Sequence, residues 1–241
     1  MKKIKIIIIF LIVLVITGFL FWKFGNRIVE IDNLGGNKEN NAENSGINPI
    51  TGLECENYNR RPIAVMLAED PITRPLSGIG VADLFVEMPV ITGSITRLMA
   101  IYICEDPEEI GSARSARHDY IPLAMGFDAI YAHWGGSHFA LDKLDAGIMD
   151  NIDAMKNPYN AFWQKSGILM PHNGFTSMAR LVNAAEKLGY RLTNKFEGYP
   201  HLKISNLKSQ ISKAGKLTIG YSGNYRVYYE YNPETNSYLR W

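Results

Sequence analysis

The feature that most constrains this chain is Ile6 to Trp22, an almost unbroken apolar run interrupted only by Thr17 and Gly18. At roughly 1.5 Å rise per residue, about 17 to 19 residues just reach across a ~30 Å hydrocarbon core. Lys2, Lys3 and Lys5 precede the run, and the positive-inside rule then holds the N-terminus in the cytoplasm. Trp22 and Phe24 suit the far interface, with Lys23 and Arg27 snorkelling beyond it. The run is longer than the ~7 to 15 residue core of a signal peptide, and no small-x-small cleavage site follows it. No cysteine follows it either, as a lipidation signal would need. The expectation is a single-pass membrane protein, with its cytoplasmic tip and uncleaved anchor in residues 1–28 and everything after them outside the cytoplasm.

Residues 29–47 read as a tether. The stretch GGNKENNAENSG is rich in Asn, Gly and Glu and has no apolar residue beyond one Ala, so it cannot bury enough surface to fold. Folded sequence is expected over 48–210, with 211–241 beginning a C-terminal β subdomain. The return strand Ser237 to Trp241 leaves an apolar edge without its continuation, which suggests an incomplete subdomain.

Composition excludes one class of partner. Lys+Arg number 25 against Asp+Glu 24, a formal net charge of +1, and this balance removes the usual electrostatic case for nucleic acid. Anion recognition must come from a few placed arginines. Cys55 and Cys104 could pair in an oxidising compartment. The apolar run ending at Cys104 favours instead a buried thiol acting as a small hydrophobe. No CxxC spacing supports a zinc site.

Within the domain, Arg61 to Ala68, Asp83 to Pro89 and Ile95 to Cys104 carry the β-prone runs of core strands, the last two joined through Thr92-Gly93-Ser94. Ala116 to Phe127 is expected to be helical, and Ala129 to His133 a short buried strand. Ser137 should cap a helix running to about Leu144. Thr176 to Leu188 has apolar residues at helical spacing, with Gly189 as its stop. Leu217 to Tyr221 and Tyr225 to Tyr231 read as strands. The fold class is therefore α/β (or α+β), a mixed β-sheet with flanking helices behind one transmembrane helix.

Three loops gather polar residues beside strand ends: Arg74 to Gly78, Gly111 to Arg117, and His133 to Ser137. Strand ends that feed helices are where ligands collect in α/β sheets. Small residues around Arg114, Ser115 and Arg117 would let backbone N–H groups reach an anion, with the positive end of the next helix behind them. Gly135, Gly136 and Ser137 would complete that face, and Arg74 would join it. Arg114 or Arg117 could equally pair with Asp119, Asp83 or Glu87. Arg97, inside an apolar strand, needs a partner, and Glu87 on the preceding strand is the nearest candidate. His133 and His138 are five apart, which is not a helical chelate spacing, so no metal is expected. His172 is expected to order the loop before the Thr176 helix. Gly-Gly-Ser-His lacks the nucleophile-elbow form, which argues against a serine hydrolase.

The motifs NPITGL from Asn48, RRPIAVM, RPLSGIGVADLFVE, SITRLMAIY, IGSARSAR, HWGGS and PHNGFTS occur in this order. Together they resemble the YerB-like family of bacterial envelope lipoproteins over about residues 48 to 240. The resemblance implies an extracytoplasmic, membrane-attached domain without supplying a reaction. It differs in using an apolar helix where that family carries a lipidated cysteine, and its members continue into a further C-terminal domain. The arginine-bearing loops and Gly-Gly turn also look like those of LytR-CpsA-Psr phosphotransferases. That likeness implies a polyprenyl pyrophosphate held by Arg74, Arg97, Arg114 and Arg117, with Mg near Asp83 or Glu87. The primary expectation is an envelope protein that binds a cell-wall or lipid-linked ligand, or an envelope partner, through the arginine face. The phosphotransferase is the alternative, and no cofactor is expected outside it.

Overall fold

The computed structural model describes residues 45–90, 95–201, 214–221, 226–234 and 237–241. The expected anchor, most of the tether and the turn at Thr92 to Ser94 lie outside the described residues. Among the described residues, no helix is long and apolar enough to cross a membrane.

The compact unit Asn44–Trp241 opens with two short paired strands, β1 (Gly46–Ile47) and β2 (Glu54–Cys55). They are tied to the domain by a Cys55–Cys104 disulfide. This corrects the expectation of a buried thiol: the apolar run stops just short of Cys104, which is half-buried beside the N-terminal segment. Asn48 reinforces the junction by donating to Asp83 at 2.6 Å.

The central strand is β3 (Ile63–Leu67), buried on both faces. After it come β4 (Leu84–Pro89), β5 (Thr96–Tyr102) and the short β6 (Ile110–Gly111). A six-residue helix, α1 (Ile121–Gly126), precedes β7 (Ile130–His133), and α2 (His138–Asp145) precedes β8 (Asn151–Asp153). The main sheet has the order β4-β5-β3-β7-β8; β3, β7 and β8 are parallel, while β5 runs antiparallel to β3 and β4. Alternation along β3 sorts the core into two layers. Ile63, Val65 and Leu67 pack with Met178, Leu181 and Ala185 of α3 (Met178–Lys187). Ala64 and Met66 pack with Tyr120, with Ile121 and Ala124 of α1, and with Ala140 and Leu144 of α2. Helices therefore cover both faces of a mixed sheet, as the sequence pattern implied.

Two serine caps start the longer helices, and the one at Ser137 was expected. The Ser137 hydroxyl accepts from the Ala140 N–H, and Ser177 caps α3 in the same way. The Ala116 to Phe127 helix is shorter than expected. Pro122 lies in the first turn of α1, and residues 118–120 form a turn, so the helix starts at Ile121. Thr176 ends a strand instead of starting α3. That strand is β10 (Gly174–Thr176), which sits between β6 and β9 (Phe162–Gln164) in a second sheet.

A third sheet holds β11 (Lys216–Gly220), β12 (Arg226–Asn232) and β13 (Ser237–Arg240), ordered as in the sequence. It is linked to the main sheet by Arg240, whose guanidinium meets Glu69 at 2.6 Å and Glu87 at 2.5 Å. Both carboxylates are nearly sealed from solvent. Burial holds Glu69 above the ordinary carboxylate range, against the opposing pull of Arg240 and Arg74.

Two outcomes follow from these ties. Changing both Cys55 and Cys104 to Ser opens a loop with a sequence separation of 49. It should cost about 2 to 4 kcal/mol in urea unfolding, and an unchanged midpoint would show that the tie adds nothing. Arg240→Ala strands two buried carboxylates and should cost about 3 to 5 kcal/mol. Because the folded-state pKa of Glu69 is raised, protonation relieves that strain, so the deficit should shrink as pH falls through the acidic range. A deficit independent of pH would contradict this account.

Candidate functional site

The segment after β6 builds the site. Ser112 to Ala116 does not loop over the sheet; it runs as extended backbone between the ends of β3 and β7. The Ser112 carbonyl accepts from Ala68 N–H at 2.9 Å, and Arg114 N–H donates to the Met66 carbonyl at 2.8 Å. On the other side, the Arg114 carbonyl accepts from Trp134 N–H at 3.0 Å, and Ala116 N–H donates to the Gly135 carbonyl at 2.9 Å. Ala113 N–H donates to Gly174 in β10 at 2.7 Å. The small residues here serve close backbone packing. The N–H groups of Ala113, Arg114 and Ala116 are therefore taken by protein carbonyls and do not face an anion.

What remains is a guanidinium cluster. Arg97 is 5 % exposed and donates to Asp70 at 3.1 Å. It does not pair with Glu87. In the β4–β5 register Glu87 stands opposite Leu98, and Arg97 stands opposite Met88, so the two side chains lie on opposite faces. Burial lowers the pKa of Arg97 from its ordinary value, Asp70 opposes this, and the nearby charges of Arg114 and Arg117 lower it further. Those two arginines make no ion pair with any described carboxylate. Arg114 donates to the Pro171 carbonyl at 3.1 Å and Arg117 to that of Ala116 at 2.9 Å.

Several polar atoms around this cluster are buried without a hydrogen-bond partner: Arg97 Nε, Arg114 Nε, Ser112 Oγ and His172 Nδ1. His172 Nδ1 lies 4.0 Å from the Asp70 carboxylate. Asp70 and His172 thus join the site although the sequence reading gave neither a role there. The available signal was a charged residue directly past a core strand for Asp70, and a His between Pro171 and Asn173 for the other.

Other candidates are placed elsewhere. Arg74 is exposed and pairs with Glu69 at 3.0 Å, in the network that docks the third sheet. Asp83 accepts from Asn48 and from the N–H groups of Ile103 and Cys104. Glu87 is bonded to Thr96, Tyr229 and Arg240. Gly135 N–H donates to Asp153 at 2.8 Å, Gly136 packs against Ala116, and Ser137 caps α2. Ser115 lines a cavity of 210 Å³ next to Arg114. His133 is fully buried, with its ring nitrogens facing the Gly135 carbonyl and the Asn151 side chain. No cluster of three metal-ligating side chains occurs among the described residues. An apolar groove of 810 Å³ lies between the main and third sheets, but its Glu69 and Arg240 neutralise each other.

The protein is similar to known chains over most of this domain. The family description "Protein of unknown function (DUF3048) N-terminal domain" matches residues 50–191, more than half of the chain. "Putative lipoprotein YerB" of Bacillus subtilis (strain 168) is 34% identical over 197 residues, which are 80% of this chain and 59% of that protein. The crystal structure of YerB from Bacillus subtilis superposes with a TM-score of 0.67 at 32% identity, covering 81% of this chain and 66% of that one. This chain therefore spans about three-fifths of the length of its curated relative. It belongs to the DUF3048 family, through that family's N-terminal domain.

Proposed function

We propose that this protein is an envelope protein whose domain binds a phosphate-bearing ligand at Arg97, Arg114 and Arg117. The observation that carries the reading is the charge imbalance beside the strand ends. Arg97 meets Asp70, Arg114 and Arg117 add their charge to it without ion pairs of their own, and Arg97 and Arg114 keep buried Nε atoms without a partner. Buried polar groups are ordinarily satisfied, and a planar guanidinium fork matches the oxygens of a phosphate. An anion there would supply the missing acceptors.

The envelope assignment has separate support. The relative's printed name calls it a lipoprotein, the Cys55–Cys104 disulfide suits an oxidising compartment, and Ile6 to Trp22 has the length and Lys flank of a membrane anchor. The phosphotransferase reading asked Asp83 or Glu87 to face a cation, and both carboxylates are bonded within the protein. Binding without turnover is therefore the reading we adopt.

Thermal unfolding of the full chain with inorganic phosphate or pyrophosphate tests it. At ~100 times the dissociation constant the ligand should stabilise by about 2.7 kcal/mol, read as a higher Tm. The Arg114→Ala/Arg117→Ala double variant should fold and lose the shift. Arg74→Ala should keep it. A shift that survives in the double variant, or none in the unaltered protein, would sink the proposal.

A further inference from the structure

The cleft has an apolar lip that anion binding alone does not use. Its 210 Å³ cavity is lined by Arg114 together with Trp134, Met170, Pro171 and Gly174. Trp134 lies so close over Gly174 that a Cβ there would come within 2.4 Å of the indole. The ring is also braced by Phe162, with centroids 5.8 Å apart, so it forms a fixed flat wall. Met170, which lines the cavity, is 73% exposed, and Leu169 next to it in the chain is 77% exposed. Single exposed apolar side chains are ordinary. These two lie in the same loop as Pro171, whose carbonyl Arg114 holds, so apolar surface and unpaired positive charge meet at one opening. Methionine is unbranched and polarisable, and it adapts to the shape of a flexible chain.

We infer that the ligand is amphipathic: a phosphate ester whose hydrocarbon chain lies along Trp134, Met170 and Leu169 while its head meets the arginines. This rests on the phosphate-binding reading above and adds the chain to it. A wholly apolar ligand would leave the buried guanidinium atoms unsatisfied. A bare phosphate would leave the lip without a partner. The occupant is a single molecule and not the plane of a bilayer, because the apolar wall beside Arg114 is a cavity of 210 Å³ and not a flat face.

The test is titration calorimetry of the full chain with inorganic, ethyl, butyl and hexyl phosphate, each below its aggregation concentration. Affinity should rise about two- to threefold per added methylene, below the roughly fourfold expected for full burial. The rise should vanish in Leu169→Ser/Met170→Ser, whose inorganic phosphate affinity stays unchanged. Both side chains are exposed, so that variant keeps its fold. A flat series with phosphate binding intact would overturn the chain and leave the head-group site. A rise persisting in the double serine variant, or in Arg114→Ala, would place the chain elsewhere and overturn it too. Failure of every phosphate probe to bind would remove the head-group site and this inference together.

Discussion

The site depends on backbone hydrogen bonds made by one segment, Ser112 to Ala116, wedged between the ends of β3 and β7. Parallel neighbours need lateral partners along their whole length, and here the two strands diverge past Leu67 and His133. Ser112 and Arg114 satisfy the β3 side, while Arg114 and Ala116 satisfy the Trp134–Gly135 side. A chain threaded through such a gap cannot tolerate bulk, and Gly111, Ala113 and Ala116 are all buried. A Cβ at Gly111 would come within 2.2 Å of the Phe175 ring. The extended backbone then sets which side chains leave the wedge. Arg114 and Arg117 lie near enough to act on Arg97, which is the second residue of β5.

The distribution of charge separates structural arginines from the candidate site. Arg61 meets Asp150 and Asp128, Arg191 meets Asp128, and Arg60 meets Asp106. Arg74 and Arg240 meet Glu69 and Glu87. In each case the carboxylates roughly match the guanidiniums, which is what removing charge from water requires. Around Arg97, Arg114 and Arg117, by contrast, three cations influence one another and only Arg97 has a carboxylate partner among the described residues. Repulsion among them raises the free energy of the empty site. An anion would relieve that repulsion, so the same imbalance that costs stability favours binding.

The sequence showed the frame better than the site. Ile63 to Leu67 and Thr96 to Tyr102 were legible because a strand buried on both faces needs a continuous aliphatic run. α2 was legible from the Ser137 cap, and α3 from apolar residues at helical spacing ahead of Gly189. The strands β6, β8, β9 and β10 were not, since two or three residues carry no period and are defined only by their partners. The Cys55–Cys104 pair depends on a fold that brings residues 49 apart into contact, which no local pattern encodes. The Arg97–Glu87 pairing failed on register: one step along an antiparallel pair moves a side chain to the opposite face. Arg114 and Arg117 were candidates because two arginines among small residues stand out. Asp70 and His172 were missed because their roles come from spatial neighbours 27 or more residues away.

The disulfide and the arginine cluster lie at opposite ends of β5, and this arrangement has a consequence for how the domain would be presented. Cys104 follows the C-terminal end of the strand, while Arg97 lies at its start. The segment leading in from residue 45 is fastened near the Cys104 end by the disulfide and by the Asn48–Asp83 bond. β5 has seven residues, roughly 23 Å at 3.2 to 3.4 Å per residue. Any tether attached at residue 45 therefore joins the domain about one strand length from the guanidiniums. Within the domain, residue 45 and the candidate cleft are therefore separated by about the length of β5, a strand buried along all seven of its residues.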